Sequence, residues 1–179
     1  MFSKLFGKDR LQKPATRLYR AIVAMARTPK LYLEYGVPDT VDGRFDMVIT
    51  HAIFVFRRLR EDGEAGQHYR QLVFDIMFDD MDAALREMGT GDLSVGKKIR
   101  EMGEAFYGRA NAVDEALSSD NADAFENVLQ RNLFAYDDDA DQVELDPEAT
   151  KALARYFQSF EAKLKETASQ SLFKGELGV

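Results

Sequence analysis

The 179-residue sequence contains no cysteine. That excludes disulfides, thiolate metal sites and a cysteine nucleophile, and it is compatible with a reducing compartment. It has only two histidines, His51 and His68, and neither belongs to a His-x-x-x-His or Glu-x-x-His pair, so the common helical zinc signatures are missing. No serine stands in a pattern with a histidine and an acid that suggests a catalytic triad. No stretch approaches the roughly 20 apolar residues that a membrane-spanning helix needs. The opening MFSKLFGKDRLQKPATR lacks the continuous apolar core of a signal peptide, so the expected location is the cytoplasm. With 24 Lys and Arg against 31 Asp and Glu, the formal charge is −7 at pH 7. This is the wrong sign for general nucleic-acid binding, and it favours a partner with a basic face.

What is present describes a soluble globular chain: 45% of residues are hydrophobic and 31% charged. The length suits one domain over 1–179, with a flexible opening segment over 1–12 and a flexible tail over 170–179. Phe2, Leu5 and Phe6 among Lys4, Lys8 and Arg10 suggest peripheral contact with an anionic membrane surface; a frayed terminus is the alternative.

Apolar residues recur at helical spacing in almost every segment, and period-two alternation is hard to find. The expectation is an all-α fold, a single irregular bundle of about six helices. A first helix starts near Pro14 and runs to the Thr28-Pro29 break. An ordered loop carrying Gly36, Pro38 and Gly43 follows. The second helix places Phe45, Val48, Ile49, Ala52, Ile53, Phe56 and Leu59 on one stripe. Met47 and Phe54 fall on the other side, which predicts a centrally buried helix. A third spans about Gln67 to Met88, and a fourth opens at Ser94 as its cap and runs to Leu117. Shorter helices cover Ala122 to Phe134 and Pro147 to Ala168, with the acidic stretch YDDDADQVELD between them.

Two motifs carry possible chemistry. Gly91, Gly96 and Lys97 stand at phosphate-loop spacing, but the next residue is Lys98 where a magnesium-binding Ser or Thr belongs, and a helix precedes where a strand belongs. Lys97 and Lys98, placed in a first helical turn, oppose the helix dipole and so suit a partner better than they suit stability. Asp75, Asp79 and Asp82 share a helix face. They suit a divalent ion, an acid/base pair, or a solvated surface on which Asp82 pairs with Arg86. Gly96, Gly103 and Ala110, seven apart, predict a close helix contact, because glycine inside a helix costs about 1 kcal/mol relative to alanine.

The runs GVPDTVDGRFDMVITHAIFVFRRLR and FDIMFDDMDAALREMGTGDLSVGKKIREMGEAFYGR, within Tyr35 to Leu117, resemble the ubiquinol-cytochrome c chaperone family, and a weaker likeness resumes at RNLF. The resemblance implies a helical, non-enzymatic assembly factor for respiratory complex III that needs no cofactor and binds newly made cytochrome b at the inner membrane surface. Mitochondrial relatives add a targeting sequence and depend on a partner chaperone; the absence of such a sequence points to a bacterial-type member. A ribosome or a second assembly factor is a further implied partner. The family-like positions expected to bind protein are Asp75, Asp79, Asp80, Asp82, Arg86, Asp92, Lys97, Lys98, Tyr107 and Arg109. The competing reading is a helical carrier or enzyme for a lipophilic ligand such as haem or quinone, with His51 or a methionine as an axial ligand.

Overall fold

The computed structural model describes residues 3–121, 123–133 and 146–179. Among these the chain is all-α: α1 (Ser3–Ala26), α2 (Pro29–Leu33), α3 (Val41–Arg60), α4 (Gly63–Glu87), α5 (Asp92–Ser118), α6 (Ala124–Leu133), α7 (Pro147–Glu166) and α8 (Ser169–Leu172). Six are the long helices that the periodicity predicts, and α2 and α8 are single turns added to them. The expected helix ends at Ala122 and Phe134, and most of the acidic stretch after Phe134, lie outside the described residues. So does the expected membrane contact at Phe2, together with the side chains of Lys4, Leu5, Phe6, Lys8 and Arg10.

The stripe on α3 continues around the whole helix. Met47 and Phe54, which break a one-sided pattern, are fully buried along with Ile49, Ala52, Ile53 and Leu59. The remaining helices surround α3, with α1, α4, α6 and α7 packed directly on it. Phe54 stacks on Phe157 of α7 with ring centroids 5.2 Å apart and meets Phe125 of α6 edge-on at 5.8 Å. Burying such rings removes large apolar areas from water, at about 25 cal/mol per Å2.

The end of α3 is tied down by charge. The Arg58 guanidinium donates to the carbonyls of Leu164 and Thr167, each at 3.1 Å, and pairs with Asp62 at 3.2 Å. Buried guanidinium groups need partners of this kind, and these fix the end of α7 to the α3–α4 turn.

Three expectations need correction. The first helix begins at Ser3 rather than near Pro14, which lies inside it; there the helix forgoes one backbone hydrogen bond because proline has no N–H. The connection after Pro29 is not all loop, since it forms α2 and buries Leu31. The tail over 170–179 is packed rather than frayed. Leu172 and Leu177 are buried, Phe173 lies on Tyr69 with centroids 5.0 Å apart, and the Thr167 hydroxyl donates to the Leu177 carbonyl at 3.0 Å. Gly175 makes this possible: its φ is +85°, and a Cβ there meets the Pro14 carbonyl oxygen at 2.5 Å.

Candidate docking groove

At one end of the bundle four helices meet, and no further helix among the described residues covers them. α1 stops at the Thr28-Pro29 break, α3 starts at Val41, and α4 hands over to α5 across Gly89, whose φ of +83° lets the chain reverse. Between them lies an open groove of about 490 Å3. Its walls are Val23 of α1, Phe45 and Val48 of α3, Met81, Ala84 and Leu85 of α4, and Met102 of α5. Val41 and Met88 stand at its lips, 63% and 56% exposed, two of the few large apolar side chains left to solvent among the described residues. Three of the lining residues are methionines, whose flexible thioethers adapt to differently shaped apolar partners.

Charges of both signs line the groove: Arg27, Arg44 and Lys98 against Asp42, Asp80 and Glu101. Several are engaged within the chain. Arg44 pairs with Asp39 at 2.6 Å, which holds the Asp39 carboxyl below its ordinary range. Asp80 accepts a 2.6 Å hydrogen bond from Tyr19, whose hydroxyl burial and that carboxylate push well above its ordinary pKa. Deeper in the wall, Asp46 is buried against the Arg109 guanidinium. Burial raises the Asp46 carboxyl to about 6 while Arg109 opposes the shift. An apolar trough with paired charges along its lining is suited to holding apolar side chains and fixing their register.

The ubiquinol-cytochrome C chaperone family model matches residues 33–179, from the end of α2 through the packed tail. The chain belongs to this family. It is 24% identical over 129 residues to ubiquinol-cytochrome-c reductase complex assembly factor 1 of Xenopus laevis, covering 72% of this chain and 64% of that one. It is 24% identical over 155 residues to the Mus musculus factor, covering 86% and 52%. The chain thus spans between half and two-thirds of these relatives' lengths. The crystal structure of the Cbp3 homolog from Brucella abortus superposes with a TM-score of 0.79 at 30% identity, covering 98% of this chain and 94% of that one.

The structure of this family member distributes the expected protein-binding residues over four places. Asp80 and Lys98 line the groove. Asp82, Arg86 and Asp92 form a corner between α4 and α5, where Arg86 contacts both carboxylates at 2.5 Å. Asp79 is exposed on α4, Asp75 accepts from Gln71 at 2.7 Å, and Lys97 lies 3.7 Å from Glu101. Tyr107 is exposed on α5, beside Phe74. Arg109 is the exception: its side chain is only 7% exposed, and its position in the core fits a structural ion pair better than a docking contact.

The corner also corrects two local expectations. α5 starts at Asp92 with Gly91 as its cap, so Ser94 is inside the helix and Lys97 and Lys98 are beyond its first turn. Asp92, not a lysine, meets the positive end of the dipole. The phosphate-loop spacing starts at the Gly91 cap and runs into α5, which holds Gly96 and Lys97 inside a helix. Gly96 has open space around it, and a Cβ on Gly103 makes only ordinary contact with Phe78 at 3.8 Å, so the row of small residues is no close approach. The close approaches lie elsewhere: a Cβ on Gly43 falls 2.1 Å from the Pro38 carbonyl oxygen, and one on Gly66 falls 1.9 Å from that of Leu59.

His51 is enclosed by Tyr156, Phe157 and Phe160. The Met47 carbonyl at 2.7 Å can only accept, so Nδ1 carries the proton, and Nε2 accepts from the Tyr156 hydroxyl at 2.8 Å. Burial lowers its pKa to about 4. Both ring nitrogens are therefore engaged, leaving none for iron. Asp75, Asp79 and Asp82 form no group arranged to hold a metal ion among the described residues.

The groove leaves little trace in the sequence. Its only sequence signal is that Met81, Leu85 and Met88 continue an apolar stripe on α4 into the same turns as the acidic residues.

Proposed function

We propose that the chain is an assembly chaperone for the ubiquinol-cytochrome c reductase complex and that newly made cytochrome b is its client, held in the groove between α1, α3, α4 and α5. The observation that carries this reading is the uncovered, methionine-lined trough with Val41 and Met88 exposed at its lips. A folding membrane-protein segment needs temporary cover for its apolar side chains, and such a trough supplies it at the cost of an exposed apolar patch. Asp75, Asp79 and Asp82, on the same helix as the groove residues Met81 and Leu85, steer basic residues of the client toward it. The family name and the names of the relatives support the assembly role. The chain works on the cytoplasmic side, peripherally at the inner membrane, where the client emerges beside a second assembly factor or the ribosome. A carrier of haem or quinone is less well supported, because His51 would have to break two hydrogen bonds to reach iron.

Val41→Asp with Met88→Asp places two charges on already exposed positions. Cells carrying only this variant at native abundance are expected to lose assembled complex III while the protein keeps its helical circular dichroism. Normal complex III levels would remove the groove from the account.

A further inference from the structure

A second hollow, of about 170 Å3, lies between α3, α4 and α5. Phe56, Phe74, Phe106 and Tyr107 form its aromatic wall, and Tyr107, 57% exposed, packs on Phe74 with centroids 5.7 Å apart. Cations outnumber anions beside it. Asp114 accepts from Arg60 at 2.7 and 2.8 Å and also pairs with Arg57. The other carboxylate near Arg57, Glu161 at 3.3 Å, is shared with Lys165 at 3.4 Å. The Nε of Arg57 is buried with no acceptor among the described residues. Arg70 lines the hollow, and no carboxylate among the described residues pairs with it. Three cations thus share two carboxylates and Arg70 pairs with neither, a local positive surplus on a chain of net charge −7.

We propose that this arginine-flanked aromatic hollow docks a carboxylate-bearing apolar segment of a second protein. The inference is independent of what occupies the groove. Guanidinium groups recognise carboxylates through paired hydrogen bonds, and the rings beside them offer a partner side chain an apolar seat. Arginine and tyrosine at the edge of an apolar pocket are the residue types that anchor protein interfaces. A single-stranded nucleic acid also uses arginines and aromatic stacking, but the surplus here is small and the acidic chain repels a polyanion.

The test uses the full chain and three fluorescein-labelled probes: a synthetic helical peptide bearing Glu and Leu on one face, the same peptide with Lys for Glu, and an oligouridylate. Fluorescence anisotropy should show saturable binding of the acidic peptide alone. Arg70→Glu and added salt should each weaken it about tenfold or more, and Tyr107→Ala should weaken it as well. Arg70→Gln, which keeps the size without the charge, should also weaken it, and circular dichroism should show all variants folded. No saturable binding, equal binding of both peptides, indifference to both Arg70 variants, or preferred binding of the oligouridylate would each overturn the proposal.

Discussion

Arg109 of α5 and Asp46 of α3, 63 positions apart in sequence, form an ion pair inside the bundle, with 7% and 2% of their side chains exposed. The pair anchors the wall of the groove, since Asp46 is one of the groove's own lining residues.

Removing one partner leaves a buried charge without its counterion. Arg109→Met is therefore expected to destabilise the protein by about 3 to 5 kcal/mol, and adding Asp46→Leu to recover much of that loss. Urea denaturation of the two variants checks this. A loss under about 1 kcal/mol for Arg109→Met would return Arg109 to the surface role that its sequence context suggests.

The Asp46 carboxyl and the buried His51 imidazole push stability in opposite directions with pH. His51 titrates near 4 in the folded protein against 6.5 ordinarily, so the unfolded chain takes up the proton first and stability is lost as pH falls from 6.5 to 4. Asp46 titrates near 6 against 3.8, so the folded chain takes up the proton first and stability is gained as pH falls from 6 to 3.8. Denaturation of wild type and Asp46→Asn across this range should show the difference between them shifting in favour of wild type as pH drops. A constant difference would mean that Asp46 does not titrate there.

Two glycines separate packing from propensity. Gly43→Ala forces a Cβ to within 2.1 Å of the Pro38 carbonyl oxygen and is expected to cost about 1 to 3 kcal/mol. Gly103→Ala meets only the edge of the Phe78 ring at 3.8 Å and should gain up to about 1 kcal/mol from better helix propensity. Melting temperatures moving in the same direction would contradict this.

These residues show which features a sequence makes legible. The burial of α3 was readable because Met47 and Phe54 break a one-sided stripe. The pairing of Asp82 with Arg86 was readable because it is local, at the spacing of one helical turn. The rest depends on contacts distant in sequence. Leu172 and Leu177, set among glycines, look like a fraying end, and become core only because Gly175 turns the tail onto α1. Arg109 stands beside exposed Tyr107 and carries no sign that Asp46 waits for it. The groove is a gap between the ends of four helices, and no local pattern encodes a gap.

Whether the groove holds newly made cytochrome b, as we propose, is tested by site-specific photo-crosslinking during synthesis. A photoreactive amino acid is placed at Val41, at Met88, and at exposed Glu148 on α7 as a control. Crosslinks to radiolabelled nascent or newly completed cytochrome b are expected from positions 41 and 88 and none from 148. Absence of crosslinks at both lips in folded protein, or equal yield from all three positions, would contradict the proposal.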